Sequence, residues 1–353
     1  MKKINKIFKK NKSLSLDLYL EKILYDKDAG YYQNFNPFGA KGDFVTAPNI
    51  SNIFCEMITI WLVSFWEGLK KPKNLNFVEL GPGNGDLCII LLKTLKNFPE
   101  AFRSIKIILY EKSKKLREIQ EKRIVEKNVS WINDLKKIKK GPTVFFGNEF
   151  LDALPIKQFK KINGEFFERY ATLNKKEVKF IYKKAKNKEI IKLKNYKLTK
   201  NNGIIEYPEY GFKELNTMCN RIKELNGGLL FIDYGFNVNQ GQDTLQSVMK
   251  HKYNKIEKNI GKADITSLVN FDLYKKYFNY QGLKVENVIS QSKFLQKMGI
   301  IERFNIASKN LSFDDRSNMY LRLKRLIDPK FMGENFKVMF AKNKKCKFSL
   351  AFK

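Results

Sequence analysis

The chain reads as an α/β protein built on a mostly parallel sheet, and three observations carry that reading. From Asn76 to Gly147, apolar runs of strand length alternate with amphipathic runs of helical length. The first apolar run reaches a carboxylate, Glu79, and then passes into glycines at alternate positions, Gly81, Gly83 and Gly85. A Lys-rich stretch of short alternating runs, Gln158 to Ile205, interrupts the rhythm before a buried run resumes at Gly228 to Asp233.

In chain order, Leu14 to Leu24 has the spacing of an amphipathic helix, and a loop rich in Gly, Pro and aromatics follows from Gly30 to Pro48. Phe54 to Trp66 is an apolar helix, either core or a contact between two copies, so a homodimer is one use of it. Parallel strands are predicted at Asn76 to Leu80, Ile105 to Tyr110, Val129 to Ile132 and Thr143 to Gly147, with a helix running to about Phe98 and another from Ser113. Gln158 to Ile205 reads as an inserted antiparallel excursion. Gly228 to Asp233, Lys284 to Ile289 and Lys337 to Ala341 complete a seven-stranded sheet, one of the last two running antiparallel. Four successive segments result: residues 1–70, helical and lid-forming; 71–157, the first part of the core; 158–225, an inserted β-rich substrate region; and 226–353, the rest of the core with lid helices.

Glycine at every second position lets the backbone turn through positive φ and approach a ligand closely. The spacing of Leu87, Ile89, Ile90, Leu91, Leu92 and Leu95 makes the next segment a helix. Strand, glycine loop and helix in that order form a Rossmann-like nucleoside site. Charge narrows the ligand. A dinucleotide fingerprint would put its third glycine where this chain has Asp86, a carboxylate that opposes the pyrophosphate such a helix attracts. No GK[ST] follows the glycines, which argues against a phosphate-cradling loop. A cationic nucleoside without phosphate suits Glu79 and Asp86, and S-adenosylmethionine is the common cofactor of that description. A glycine turn that only packs strand on helix is the alternative.

A length of 353 residues allows a full core, in one large or two modest domains. The formal charge of +32 comes mostly from Lys spread end to end, without an Arg-aromatic recognition motif, so no nucleic-acid partner is expected. Cys55, Cys88, Cys219 and Cys346 are too scattered for a CxxC pair and point to a reducing compartment. His251 is the only histidine, which excludes paired-His metal sites, and no metal is expected. The basic start has no apolar stretch of signal-peptide length, and nothing approaches the roughly 18 apolar residues of a membrane span. The expected location is cytoplasmic; organelle targeting is the lesser alternative, since the Lys-rich start lacks Arg.

Across nearly the whole chain, ordered motifs accumulate: GYY at Gly30 to Tyr32, PFGAKGDFVTAP at Pro37 to Pro48, ELGPGNG at Glu79 to Gly85, NEFLDALP at Asn148 to Pro155, FIDYG at Phe231 to Gly235 and DTLQ at Asp243 to Gln246. ADITSLVNF at Ala263 to Phe271, QSKFLQKMGI at Gln291 to Ile300 and MGENFKV at Met332 to Val338 continue the series. In these the chain resembles the MidA-like family, which includes a mitochondrial complex I assembly methyltransferase. The resemblance implies a Rossmann-like class I S-adenosylmethionine-dependent methyltransferase. It further implies activity on protein arginine, giving symmetric dimethylarginine on a respiratory complex I subunit as protein substrate. A small-molecule methyltransferase and a non-catalytic assembly factor that binds a partner are the other classes. Two positions depart from the family: Asn49 stands where Glu is usual after TAP, and Asp86 where a small hydroxyl residue is usual.

Methyl transfer is an in-line displacement, accelerated mainly by alignment and charge placement. Cofactor contacts are expected from Glu79, Gly81, Gly83 and Gly85. Glu111, ending the second strand, is placed to accept the ribose hydroxyls unless it merely opens the next helix. Asp134 is a candidate for the adenine amino group, although a helix-capping Asp would look the same. Asn148 is a further cofactor candidate at the end of the fourth strand, and Glu149 and Asp152 are the candidate catalytic pair. If arginine is the acceptor, two carboxylates can grip its planar, fork-shaped cation and aim one nitrogen. An N-cap with first-turn acids is the plain alternative. Asp43, Phe44 and Thr46 sit in a Gly-containing loop that reads as a lid over the cofactor. Asp233, Tyr234 and His251 are candidates for the acceptor pocket.

Overall fold

Long buried apolar runs can satisfy their backbone groups only in a sheet covered on both faces, and Leu75–Leu80 is buried at all six positions. The computed structural model describes residues 7–8, 11–28, 30–34, 46–175, 177–200, 203–238, 241–249 and 252–353. Where the sequence suggests four successive segments, contacts gather the described residues into two compact units. One takes its residues from Val45–Phe150, Thr217–Gly235 and Phe278–Lys353; the other from Met1–Phe44, Leu151–Asn216 and Phe236–Tyr277.

The first unit holds the parallel sheet. Its strands are β1 (Leu75–Leu80), β2 (Ile105–Tyr110), β3 (Val129–Ile132), β4 (Thr143–Asn148), β5 (Gly227–Phe236), β6 (Lys284–Val285) and β7 (Phe336–Lys342). Their spatial order is β6-β7-β5-β4-β1-β2-β3. Strands β1 to β5 pair in parallel, and β7 is antiparallel to both neighbours. The expected single strand Lys284 to Ile289 is split: Ile289–Ser290 forms a second short strand on β7. The order reverses between β1 and β4, which makes that edge the topological switch point where ligands of such sheets bind.

Helices cover the sheet. They include α1 (Asn52–Gly68), α2 (Asp86–Leu95), α3 (Lys114–Arg123), α4 (Ile300–Ser308) and α5 (Phe313–Ile327). The two readings of the apolar α1 are resolved in favour of core. Phe54, Trp61 and Phe65 are fully buried, and Trp61 meets Phe340 of β7 edge-on with ring centroids 5.1 Å apart. Each such side chain contributes about 1.5–3 kcal/mol by leaving water.

The second unit contains the Lys-rich insert. Ser13–Ser15, Glu165–Asn174, Lys157–Ile162 and Ile204–Tyr207 form an antiparallel sheet in that spatial order, with Glu177–Lys184 also on Glu165–Asn174. The helix Leu16–Tyr25 buries Leu16, Tyr19, Leu20, Ile23 and Leu24 in this unit's core. Lys157 is buried at 2.7 Å from Glu168 and 3.6 Å from Asp17; despite burial, these carboxylates raise its pKa. The excursion is not all strand. Asn187–Asn195 is a helix burying Glu189 and Leu193, a four-residue spacing that its alternating Lys and Ile obscure.

Candidate active site

All three alternating glycines occupy the left-handed region, with φ of 64° at Gly81, 55° at Gly83 and 80° at Gly85. A side chain is disfavoured there, and a Cβ on Gly85 would lie 2.8 Å from Ile124 Cδ1. The loop is tied down by its backbone: Gly81 N–H donates to the Tyr110 carbonyl at 3.1 Å, and Gly85 N–H to Pro82 at 2.8 Å. Gly85 then caps α2, so the chain leaves β1, passes the glycines and enters the helix as its sequence implies.

Glu79 is buried, and its Oε2 has no hydrogen-bond partner among the described residues. Burial, with Asp86 and Glu111 adding repulsion, pushes its carboxyl up to about 8. An ionised carboxylate here needs a cation. Glu111, ending β2, is also buried, and desolvation lifts it to about 7 against the lowering effect of its hydrogen bonds. Ser113 N–H donates to its Oε1 at 2.6 Å, and Gln120 Nε2 to its Oε2 at 3.3 Å. It is therefore no exposed helix-opening acid; Ser113 caps α3 instead.

Gln120 is a residue that sequence reasoning missed. It is fully buried; Nε2 also donates to the Gly83 carbonyl at 2.7 Å, and Oε1 accepts from Trp131 Nε1 at 3.0 Å. One amide thus joins the glycine loop to the β2 carboxylate. Three residues on, Arg123 donates to the Asn84 carbonyl and to Asp86 Oδ1, each at 2.6 Å. The i, i+3 placement of Gln120 and Arg123 on a helix otherwise polar was the available signal.

The two departures from the family pattern touch each other. Asn49 Nδ2 donates to Asp86 Oδ2 at 2.6 Å, and Asn49 Oδ1 accepts from Thr46 Oγ1 at 3.1 Å. With Arg123 on its second oxygen, Asp86 is charge-balanced. Thr46 is the N-cap residue of the short helix Ala47–Ile50. Asp43 and Phe44, with most of the proposed lid, lie outside the described residues, as does His251.

At the end of β4, Asn148 Nδ2 donates to Glu149 Oε1 at 3.1 Å, and Asn148 Oδ1 is buried without a partner among the described residues. Glu149 has a φ of 52°, rare for a residue with a side chain. Phe150 then stands 3.6 Å from where a Cβ on Gly81 would sit, so the β4 end abuts the glycine turn. Asp152 is buried in the other unit, its carbonyl accepting from Ser267 N–H at 3.1 Å. Asp233 is fully buried on β5 with Oδ1 accepting from Tyr234 N–H at 2.9 Å, and Tyr234 packs on Phe336 at 5.5 Å. Asp134 is exposed, and its Oδ1 caps the 3-10 turn Leu135–Lys137 by accepting from Lys136 N–H at 3.0 Å. The structure therefore brings Glu79, the glycines, Glu111, Asn148 and Glu149 to the carboxyl ends of adjacent strands.

A mostly parallel sheet with its final long strand antiparallel, a turn with glycine at every second position after β1 and, beside it, a buried carboxyl oxygen without a partner among the described residues define a Rossmann-like methyltransferase. The chain matches, over residues 57–289, the family "Putative S-adenosyl-L-methionine-dependent methyltransferase", and it belongs to that family. Among its relatives are proteins named "Protein arginine methyltransferase NDUFAF7, mitochondrial". That of Xenopus laevis is 26% identical, covering 92% of this chain and 80% of its own; that of Homo sapiens is 28% identical, covering 90% and 77%. A Caenorhabditis elegans homolog of the same name is 30% identical over 78% of this chain and 70% of its own. The fold is that of a Burkholderia thailandensis protein crystallised with S-adenosyl-homocysteine, with a TM-score of 0.80, 23% identity, and coverage of 96% of this chain and 90% of that one.

S-adenosylmethionine is thus the cofactor, and the residues fit it: the glycines leave room for its body, and the unmatched Glu79 oxygen suits its positive charge. When bound, it supplies a methyl group made electrophilic by the sulfonium. Among the described residues, no helix is long and apolar enough to cross a membrane.

Proposed function

We propose that this chain is a protein arginine N-methyltransferase that forms symmetric dimethylarginine on a subunit of respiratory complex I during its assembly. Relatives bearing that arginine activity in their names, matched along most of the chain, support the reading. The observation that carries it is Glu149, a carboxylate held at a φ of 52° directly after β4 and beside Asn148. Such strain is retained where a side chain must point one way. A guanidinium is a planar cation that a carboxylate can grip by two hydrogen bonds, leaving one nitrogen free to attack.

In this reading Glu149 holds the acceptor, and Asp233 and Tyr234 line its approach. Glu79, Gly81, Gly83, Gly85, Glu111, Asp134 and Asn148, with Thr46, hold the cofactor. The chain acts where complex I is assembled, which in a bacterium is the cytoplasmic side. Incubation with radiolabelled cofactor and extract should label a protein band, and Glu149→Gln should abolish that label while cofactor still binds. Mass spectrometry of complex I from cells with and without the chain should show one dimethylated arginine peptide lost. Label in a soluble metabolite instead would reject the proposal.

A further inference from the structure

The turn between α4 and α5 and the outer side of α5 carry apolar side chains that the fold leaves in water. Of fifteen large exposed hydrophobic side chains among the described residues, six lie between positions 306 and 331: Ile306, Leu311, Phe313, Tyr320, Leu321 and Phe331. Phe313 is 84% exposed. On α5, Met319, Leu323, Leu326 and Ile327 pack against the core. Phe313, Tyr320 and Leu321, spaced i, i+7 and i+8, fall outside that face and share a side with Lys324. Their surroundings are basic on balance, with the exposed Asp314 and Asp315 beside Phe313 outnumbered by cations. Lys309, Arg316, Arg322, Lys324, Arg325 and Lys330 are exposed and pair with no carboxylate among the described residues, whereas Arg303 in the same stretch is held by Glu56 at 2.6 Å.

We infer that this surface docks on an anionic lipid bilayer, with Leu311 and Phe313 entering the boundary between headgroups and acyl chains. The occupant follows from charge and polarity together. A chain of formal charge +32 repels a second copy of itself. A nucleic-acid backbone would satisfy the cations but leave Phe313 and Leu321 in water. A lipid interface takes both, since its phosphates meet the cations while aliphatic and aromatic groups displace water below them. The contact is peripheral, because no described helix can span a bilayer. It does not depend on which molecule accepts the methyl group.

Flotation of the full chain with vesicles tests this. Binding is expected to vesicles of equal parts phosphatidylcholine and phosphatidylglycerol, weakening as salt rises, with little binding to phosphatidylcholine alone. Arg316→Gln with Lys324→Gln, which flank Phe313 and Tyr320 on that side of α5, should weaken it about thirtyfold, at about fivefold for each cation removed near the surface. Phe313→Ser with Leu321→Ser should weaken it about tenfold. All four side chains are exposed, and equal melting temperatures will show that the variants fold. Equal binding of the parent protein to both vesicle types, or undiminished binding by the Phe313→Ser, Leu321→Ser protein, would overturn the inference. So would a dimer or a nucleic-acid complex lost in these variants while vesicles are ignored.

Discussion

Replacing Glu79 by Gln should stabilise the ligand-free protein in alkaline buffer, destabilise it in acid, and remove the protection given by the cofactor. Burial, aided by Asp86 and Glu111, raises the Glu79 carboxyl from 4.5 to about 8. Between those values the folded chain keeps a proton that the unfolded chain has released, so stability falls as pH climbs through the window. At about 1.4 kcal/mol per pH unit, the loss is at most about 5 kcal/mol. Glutamine keeps the shape and cannot ionise, but its buried amide hydrogens go unmatched, at a cost of roughly 1–3 kcal/mol. The variant should therefore trail the parent by about that cost near pH 5 and lead it by roughly 2 kcal/mol near pH 9. Urea denaturation across this range measures both. Excess S-adenosylmethionine should reverse the alkaline order, because cation and carboxylate stabilise each other only in the parent. A constant offset between the two pH profiles would refute the late ionisation of Glu79, and unchanged cofactor affinity in the variant would refute its role as counter-charge.

Gln120→Ala removes the hydrogen bonds to the Gly83 carbonyl and to Glu111 Oε2, and calorimetry should find cofactor affinity reduced about thirtyfold, at about 1 kcal/mol per bond. Wild-type affinity in this variant would mean that the loop holds its shape unaided. Asn49→Ala and Asp86→Ala, singly and together, should show a coupling of about 1 kcal/mol in thermal or urea stability, since Asn49 Nδ2 donates to Asp86 Oδ2; additive effects would mean that the contact contributes nothing.

The parallel sheet was legible because its central strands are buried on both faces and so appear as mainly apolar runs, as Phe77, Val78 and Leu80 do around Glu79. The glycine loop was legible because three alternate glycines serve few purposes but positive φ. Gln120 was not, because a glutamine inside a lysine-rich helix looks like solvent-facing surface until the fold sets it against Gly83 and Glu111. The same holds for the Asn49 and Asp86 contact. The two residues stand 37 positions apart, and only the approach of the Ala47–Ile50 helix to α2 brings them together. Short strands such as Gln246–Met249 and Asp264–Thr266 were not predicted, since three or four residues carry too little periodicity to register. Asp134 shows the converse limit: its cap on the Leu135–Lys137 turn and the adenine contact proposed for it share one sequence signature.

The unit containing Lys157 is assembled from three separate lengths of chain, and the one containing the parallel sheet likewise, with junctions after Phe44, Phe150, Asn216, Gly235 and Tyr277. Neither can be cut out as a continuous fragment, so truncation at any of these junctions leaves at least one of them incomplete. Deletion mapping would consequently report every terminal stretch as essential, whatever its part in chemistry. Point substitutions, or relinked and circularly permuted versions, are the proper way to assign work to each half.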